Sequence, residues 1–361
     1  MTPLAQMLVR QIASEGPMRV SDYMAACLLH PEHGYYTTRT PFGLAGDFTT
    51  GPEISQMFGE MIGAWLAQVW TDQGRPDPFL QAELGPGRGT LMADILRVIA
   101  RVPTMRSALR LHLVEASPAL RARQAQALSD AAPLWHDDLS SLPEGPLFVI
   151  ANELFDALPI RQFVRTGDAW AERLVGLSDG ALSFGLAPPR SVPMLANRLA
   201  DTRDGDTVEL CPALPAIARN IADRIARHGG AALVVDYGGW GSLGDTFQAM
   251  RGHGFADPLA EPGLADLTAH VDFRALARAF AQGGAAVTAM TDQGVFLERL
   301  GITARAQALA RSLTGPARGA HIAAHRRLTH PQEMGRLFKA IACHPPGTPP
   351  PPGLDAAPDT A

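Results

Sequence analysis

The stretch Glu83-Leu84-Gly85-Pro86-Gly87-Arg88-Gly89-Thr90 decides the fold. It follows an apolar run, Phe79 to Leu84, and precedes a helical pattern from Leu91 to Ile99, so it predicts a tight turn from a β-strand into an α-helix. Glycines let the backbone turn sharply and approach a ligand closely, and the free amides at a helix start favour polar or anionic groups. A tight turn alone could require the same glycines, so the loop by itself leaves both interpretations open.

Two acidic residues indicate which cofactor the loop would hold. Glu115 ends the next apolar run, about 26 residues beyond Gly89, where a carboxylate can accept hydrogen bonds from ribose hydroxyls. The glycine spacing is GxGxG rather than the GxGxxG of dinucleotide enzymes, and Glu83 directly before it suits a ligand with an ammonium group and no pyrophosphate. The pattern favours S-adenosylmethionine over NAD, with Glu83, Gly85, Gly87, Gly89 and Glu115 as cofactor-binding residues. A solvated strand end is the alternative for Glu115.

Asp137 and Asp138 stand where a third strand would end. That position commonly reads an adenine, so we expect both residues to bind the cofactor. An ordinary acidic turn would place the same residues there.

Three polar residues, Asn152, Glu153 and Asp156, come just beyond a fourth apolar run. In open α/β sheets, ligands bind outside the carboxyl ends of the strands, so these side chains should face the reaction centre. A helix N-cap by Asn152 would account for one polar residue but not for three. We assign Asn152 to the cofactor and the two carboxylates to catalysis.

Residues 78–240 alternate between short apolar runs and helical patterns, which is typical of βαβ units and a parallel sheet. The candidate strands are Phe79 to Leu84, Arg110 to Glu115, Leu147 to Ala151 and Ala231 to Asp236. We therefore expect an α/β fold, a Rossmann-like sheet with helices on both faces, over residues 76–343. Two insertions interrupt it: residues 161–210, where Trp170 to Leu186 could form a hairpin or meander, and the loop-like residues 241–273.

The two ends of the chain differ from this core in composition. Residues 1–75 predict a helical N-terminal cap with one loop on the substrate side, because apolar residues recur there at helical spacing around a segment rich in Gly, Thr and aromatics. Residues 344–361 are Pro-rich, which predicts a disordered or extended tail.

The composition predicts a globular protein, because 46% hydrophobic and 19% charged residues supply a large core and exclude global disorder. Lys+Arg number 31 and Asp+Glu 36, a formal net charge of -5. No Lys/Arg-rich run stands out, so we expect no nucleic-acid partner. No apolar run approaches the ~18 residues of a membrane span, and the first residues lack the layout of a secretory signal. We therefore expect no membrane insertion and a cytoplasmic location.

No metal site is predicted. Cys27, Cys211 and Cys343 lie far apart and form no CxxC pair, which fits a reducing compartment and gives no zinc site. His321 and His325 are four residues apart on a predicted helix, but no Glu follows His321 and no third ligand is near.

Six blocks, in order over roughly residues 1 to 300, resemble the MidA-like family of methyltransferases, whose mitochondrial members are complex I assembly factors. They are HPEHGYYTTRTPFGLAGDFTTGPEISQMFGE (His30 to Glu60), ELGPGRGT (Glu83 to Thr90), HLVEASPAL (His112 to Leu120), ANELFDALPIRQF (Ala151 to Phe163), LVVDYGG (Leu233 to Gly239) and RGHGFADPLAEPGLADLTAHVDF (Arg251 to Phe273). The GDFTT-PEISQ and NELFDALP blocks are far more particular to this family than the glycine loop. Gly51 before Pro52 and the Pro-rich tail are small departures from the pattern.

The resemblance implies a Rossmann-like fold, S-adenosylmethionine as methyl donor, and protein arginine ω-N methylation with symmetric dimethylarginine as the product in the mitochondrial members. The partner would be a protein with a target arginine, such as a complex I subunit, and a bacterial relative could act on another substrate. A guanidinium is recognised by carboxylates that fit its planar fork. Glu153 is the first choice, with Asp156 or Asp47 as the second carboxylate.

Two other functions remain compatible with the sequence. One is methylation of a small oxygen or nitrogen nucleophile, and the other is a cofactor-binding assembly factor that acts by contact rather than by catalysis. The sequence leaves the oligomeric state open.

Overall fold

The computed structural model describes residues 1–38 and 49–358. The helices are α1 Pro3–Glu15, α2 Val20–Leu29, α3 Tyr35–Thr38, α4 Gly51–Ile54, α5 Gln56–Asp72, α6 Thr90–Ile99, α7 Pro103–Ala108, α8 Pro118–Ala127, α9 Leu214–His228, α10 Phe273–Gln282, α11 Gln293–Arg299, α12 Ile302–Ala310, α13 Gly315–Thr329 and α14 Met334–Leu337. The strands are β1 Met18–Arg19, β2 Phe79–Leu84, β3 Leu109–Val114, β4 Leu134–His136, β5 Leu147–Asn152, β6 Arg161–Thr166, β7 Ala169–Ser178, β8 Ala181–Leu186, β9 Thr207–Leu210, β10 Gly230–Gly239, β11 Gln248–Arg251, β12 Gly254–Ala256, β13 Asp266–Thr268, β14 Val271–Asp272, β15 Ala286–Val287, β16 Thr291–Asp292 and β17 Phe338–His344.

The chain folds into two compact units. The Rossmann-like unit contains residues 49–155, 215–240 and 273–358, and the antiparallel unit contains residues 1–38, 156–214 and 241–272. Residues 49–75, which include α4 and α5, thus belong to the Rossmann-like unit rather than to a separate cap. Within residues 1–38 and 49–358, no helix combines the length and the apolar character needed to cross a membrane.

The sheet of the Rossmann-like unit has the strand order β15-β17-β10-β5-β2-β3-β4, with β16 also paired to β17. Strands β10, β5, β2, β3 and β4 run parallel, and β17 is antiparallel to β10. The chain passes from β2 through β3 to β4 and then returns to the other side of β2 as β5. The order therefore reverses between β2 and β5, where ligands bind in open α/β sheets. The predicted Rossmann-like α/β fold is confirmed.

The register places the ends of β2 and β5 side by side. Leu84 pairs with Ala151, so the segments that follow the two strands leave the sheet at the same level. All six residues of β2 are buried, as expected for a central strand covered on both faces.

Two glycines let α5 pack closely against α6, which carries the end of the glycine loop. A Cβ added at Gly59 would lie 2.4 Å from Cβ of Asp94, and one added at Gly63 would lie 3.0 Å from Cβ of Val98. No real Cβ atom approaches a neighbour as closely as 2.4 Å. The small residues therefore fix the distance between the two helices.

The antiparallel unit is built from two small sheets. One has the order β1-β7-β6-β9, with β8 also paired to β7, and the other has the order β12-β11-β13. The hairpin or meander expected within Trp170 to Leu186 is the β7–β8 hairpin. Glu172 on β7 binds the guanidinium of Arg161 on β6 through two hydrogen bonds of 2.7 Å, which ties these strands together.

Two segments differ from what the sequence predicts. Residues 241–273, expected to be loop-like, contain the three-stranded sheet, because Gly252 and His253 adopt positive φ and close the β11–β12 hairpin. Residues 345–358 of the tail do not behave as disordered chain. Leu354 is buried, and the carbonyl of Asp355 accepts a hydrogen bond from Ala289 N–H. One apolar side chain and backbone pairing therefore anchor the segment, and its prolines restrict the backbone further.

We predict that Gly59→Ala lowers the free energy of unfolding of the Rossmann-like unit by about 1–3 kcal/mol, because the added methyl overpacks the contact with Asp94. Gly319→Ala on α13 is the matched control, because its added Cβ would meet no atom within 4 Å. The higher helix propensity of alanine should raise the free energy of unfolding of this variant by up to ~1 kcal/mol. Urea unfolding of both variants provides the measurement. A Gly59→Ala protein as stable as the parent would show that the close approach is not needed.

Candidate active site

The glycine loop, residues 85–90, joins β2 to α6 through three left-handed glycines. Gly85, Gly87 and Gly89 have φ values of 62°, 53° and 83°, a region that residues with a Cβ enter at a cost. A Cβ at Gly85 would also lie 2.8 Å from Cδ1 of Leu154. The loop therefore requires glycine for its own conformation, as a backbone that cradles a ligand does, and a Cβ at Gly85 would also make the side chain of Leu154 shift.

Glu53 fastens the loop from a different segment. Its Oε1 accepts hydrogen bonds from Thr90 Oγ1 at 2.6 Å and from Arg88 Nε at 3.2 Å, and its Oε2 accepts from the second guanidinium nitrogen. Both partners belong to the loop or to the first turn of α6. Sequence reasoning did not select Glu53, although it stands in the PEISQ block.

Gln124, fully buried on α8, connects the loop to the end of β3. Its Nε2 donates to the carbonyl of Gly87 at 2.8 Å and to Oε2 of Glu115 at 3.2 Å, and its Oε1 accepts from Trp135 Nε1 at 2.9 Å. The amide orientation is fixed, because the carbonyl can only accept and the indole can only donate. Gln124 thus links Gly87 to Glu115. Like Glu53, it was not predicted from the sequence.

Glu115 directly follows β3 and is linked to the glycine loop through Gln124; its contact with the ribose stays a prediction. Its Oε1 accepts a hydrogen bond from Ser117 N–H at 2.8 Å. Burial raises the pKa of this carboxyl, and the bonds from Ser117 and Gln124 oppose the rise. Two carboxylate oxygens offer about four lone-pair positions, so Glu115 keeps acceptor capacity for further hydroxyls.

Glu83 is a buried carboxyl at the end of β2, where its residue is 3% exposed. Within the described part of the chain, its Oε2 has no hydrogen-bond partner. Desolvation raises the pKa of Glu83 to about 8. A buried polar atom without a partner costs stability, and a cationic ligand group next to it would supply the missing partner and return the carboxyl to its charged form.

Asp137 and Asp138 are exposed just beyond β4 and contact neighbouring residues. Asp137 pairs with Arg121. Oδ1 of Asp138 accepts a hydrogen bond from Ser140 N–H at 2.7 Å and caps the short 3-10 turn Leu139–Ser141, and its hydrogen bonds to Ser140 lower its pKa. These contacts are those of an acidic turn; the adenine contact stays a prediction.

Glu153 occupies a strained position after β5. Its φ is 51°, which is uncommon for a residue other than glycine and typical of functional sites. Its N–H donates to the carbonyl of Val235 at 2.9 Å, while its Oε1 accepts from Gly51 N–H at 2.9 Å and from Asn152 Nδ2 at 3.2 Å. The carboxylate is thereby fixed between α4 and the end of β5.

Asp236, fully buried in β10, holds the backbone that follows Glu153. Its Oδ2 accepts hydrogen bonds from Leu154 N–H at 3.1 Å and Phe155 N–H at 2.9 Å, and its Oδ1 accepts from its neighbour Tyr237 N–H at 2.9 Å. These bonds give Asp236 a structural contribution.

Of the two candidates for the second carboxylate, only Asp156 is among the described residues. Asp156 belongs to the antiparallel unit, where it is buried and its carbonyl accepts from Ala269 N–H at 2.9 Å. In that unit, burial first, and then the charges of Asp266 and Asp156, raise the pKa of Tyr36 well above its usual value. Asp47 lies outside the described residues.

The chain resembles known proteins over most of its length. A family model described as an S-adenosyl-L-methionine-dependent methyltransferase matches residues 61–291. The mitochondrial protein arginine methyltransferase NDUFAF7 of Mus musculus is 39% identical over 372 residues, covering 95% of this chain and 85% of that protein. The Homo sapiens protein of the same name is 38% identical, with 95% and 84% covered.

The chain belongs to the MidA-like methyltransferases. A crystal structure from Burkholderia thailandensis with bound S-adenosyl-homocysteine superimposes with a TM-score of 0.81 at 31% identity, covering 98% of this chain and 93% of that one. This methyltransferase therefore uses S-adenosylmethionine, and the left-handed glycine loop and the orphaned carboxyl oxygen of Glu83 fit that cofactor. Over residues 1–38 and 49–358, no group of three His, Cys, Asp or Glu side chains could hold a metal ion.

If Glu83 binds the ammonium group of the cofactor, affinity should depend on pH. Below its pKa of about 8, Glu83 in the free protein is protonated, and binding a cation requires its proton to leave. We expect the Kd for S-adenosylhomocysteine to fall about ten-fold as the pH rises from about 6 to about 7. Glu83→Gln, measured by calorimetry over the same range, should bind weakly and with a nearly constant Kd. An equal pH dependence in both proteins would contradict the assignment.

Gln124→Leu should weaken the binding of S-adenosylhomocysteine about ten-fold, because it removes the bonds to Gly87 and Glu115 that shape the site. Gln126→Leu is the matched control, since Gln126 is an exposed residue on the same helix. Its affinity should equal that of the parent. Thermal unfolding identifies the fraction of folded protein in each sample, and equal affinities of the two variants would show that the cofactor site does not need Gln124.

Proposed function

We propose that this methyltransferase transfers methyl groups to arginine side chains of a partner protein, forming symmetric dimethylarginine, and that the acceptor is a subunit of respiratory complex I. The relatives named protein arginine methyltransferases, 38–39% identical over most of the chain, support an arginine acceptor. The complex I acceptor rests on the family resemblance of the sequence blocks.

One observation carries the proposal: Glu153 places a carboxylate at the end of β5, and its backbone is held there in a left-handed conformation. Strain of roughly 1–3 kcal/mol is retained at such positions only when the surrounding structure overrides it, and here Val235, Gly51 and Asn152 do so. A fixed carboxylate at the switch point of the sheet suits a guanidinium, whose N–H groups form charge-assisted hydrogen bonds with carboxylates.

The remaining roles follow from position. The cofactor supplies a methyl group on a sulfonium, which a lone pair can attack in line. Glu83 and the glycine loop would bind its methionine part, Glu115 its ribose, Asp137 and Asp138 its adenine, and Asn152 would contact it from β5. Glu153 would hold the arginine so that one guanidinium nitrogen forms the new bond to carbon as the sulfur–carbon bond breaks. That nitrogen then loses a proton, so the product guanidinium keeps a single charge.

Alignment is the main contribution that such a reaction needs from the protein. Glu153 would orient the acceptor nitrogen and concentrate electron density on it, because an arginine is protonated in water and its lone pairs are delocalised. Asp156 or Asp47 remains the proposed second carboxylate for the other edge of the fork.

Glu153→Gln tests this role. The amide keeps an oxygen that can accept from Gly51 N–H, so the fold and the affinity for S-adenosylhomocysteine should stay close to those of the parent. Methylation of arginine peptides should fall by about two orders of magnitude or more, the scale seen when a preorganised partner of the transition state is lost. Glu15→Gln, an exposed change on α1, is the control and should methylate normally.

Mass spectrometry of the product, together with calorimetry on the same preparation, decides between the outcomes. Normal turnover by Glu153→Gln would remove this residue from the mechanism. Turnover by neither protein on any arginine peptide would contradict arginine methylation. Methylarginine lost from a complex I subunit in a deletion strain would support the proposed acceptor, and its loss from other proteins alone would contradict it.

A further inference from the structure

One segment of the Rossmann-like unit carries positive charge without any acidic residue. The protein has 36 Asp+Glu in 361 residues, about one in ten, yet none lies in residues 301–332, which contain five arginines. Arg305 among them is bound to Glu60 by two hydrogen bonds of 2.7 and 2.8 Å. The others are Arg311, Arg318, Arg326 and Arg327, all exposed. The charges are spread along α12 and α13, so no basic run is visible in the sequence.

Few side chains of helix α13 are buried. Leu328 is its one buried residue in 15, and Ile322 is 57% exposed. A surface helix is normally stabilised by an apolar stripe packed against its own protein. On α13, that packed stripe is short and consists of His321, Ala324, His325 and Leu328. The exposed Arg318, Ile322 and Arg326 share a separate stripe at i, i+4 spacing. The exposed apolar side chain of Ile322 thus lies between two arginines.

The cations of this surface are largely uncompensated. Arg326 pairs with Glu333 at 2.9 Å, whereas Arg311, Arg318 and Arg327 have no ion pair with any residue in the described parts of the chain. The basic helical surface is defined here as the exposed side of residues 311–327. Its charge is complementary to an acidic partner, in a protein whose overall net charge is -5.

A cavity continues the same stripe. Its volume is about 450 Å³, and it is lined by Gly294, Val295, Glu298, Arg299 and Thr329. Thr329 follows Ile322 by seven residues and therefore lies on the same side of α13. The cavity is shallow and open to solvent, and the 46% exposed Val295 offers an apolar contact there.

Helix α13 also packs against α4. Helix α4 contains Gly51, whose N–H binds Glu153, and Glu53, which fastens the glycine loop. The basic helical surface is therefore carried by a helix that contacts the segment holding Glu153. We propose that this surface docks an acidic segment of the methyl-acceptor protein, one that carries an apolar anchor residue, and so brings the neighbouring arginine to Glu153. The proposal rests on the proposed function, since it assumes a protein acceptor.

The test compares two double charge reversals in the full chain. Arg318→Glu with Arg327→Glu changes the surface, and Arg101→Glu with Arg278→Glu is the control, because those arginines are exposed, lie elsewhere in the same unit and have no ion pair within the described residues. The probe is a fluorescent peptide with a run of glutamates and one leucine ahead of Gly-Arg-Gly, and a second peptide carries glutamines in place of the glutamates.

The parent should bind the acidic peptide more tightly than the glutamine peptide, and added salt should weaken that binding. The surface reversal should reduce affinity about ten-fold or more, and the control reversal less than about two-fold. Arg318→Gln with Arg327→Gln, a milder change, should have an intermediate effect. In turnover assays, the surface reversal should raise the KM for the acidic peptide but not for the glutamine peptide. Its kcat and its affinity for S-adenosylhomocysteine should stay those of the parent.

Several results would overturn the proposal. These are equal affinities of the two reversals, tighter binding of single-stranded DNA or of phosphatidylserine vesicles than of the acidic peptide, or a dimer in light scattering that the surface reversal dissociates. Peptide binding is measured without turnover, so the two proposals fail separately. Binding as described with no arginine methylation would support the surface and contradict the proposed function.

Discussion

The buried carboxylate of Asp236 holds the turn that follows β5. It is buried in β10 and accepts hydrogen bonds from Leu154, Phe155 and Tyr237 N–H. A carboxylate at such a depth is tolerated only when donors satisfy its oxygens, and the turn after β5 supplies two of them. The turn and the carboxylate thus require one another, and the backbone of Glu153 is fixed between them by its own bond to Val235.

The same principle organises the cofactor side of the site. The glycine loop has the backbone freedom to take many conformations, and polar side chains from elsewhere in the chain select one of them. Glu53 binds its outer end and Gln124 its carbonyl at Gly87. A preorganised loop loses little further entropy when a ligand binds, so Glu53 and Gln124 would contribute to cofactor affinity through the loop that they hold.

How much the sequence predicts depends on how local each feature is. The strand β2, the glycine loop and the run that forms β5 are encoded in contiguous residues, and the sequence predicts them closely. Glu53 and Gln124 contact the loop from 37 residues away along the chain, and no local pattern marks them. The antiparallel strand β17 and the sheet in residues 241–273 escape prediction for a related reason. A parallel-type apolar run does not reveal its partner, and strands of three or four residues show no clear alternation.

The candidate site shows the same division. Glu83, Glu115 and Glu153 directly follow or end predicted strands, so topology alone brings them to one edge. The sequence does not reveal that Asp138 caps a turn or that Asp156 falls in the other compact unit, because both depend on where the chain turns after leaving the sheet.

The left-handed backbone at Glu153 has a consequence for the evolution of this protein. Glycine or asparagine would occupy that conformation with less strain, so selection for thermal stability alone would favour replacing the carboxylate. On the role proposed for Glu153, a lineage that no longer needed the methylation would be expected to lose Glu153 early while retaining the glycine loop and the fold. The residue at position 153 therefore offers a way to separate working members of the family from members that have become binding proteins.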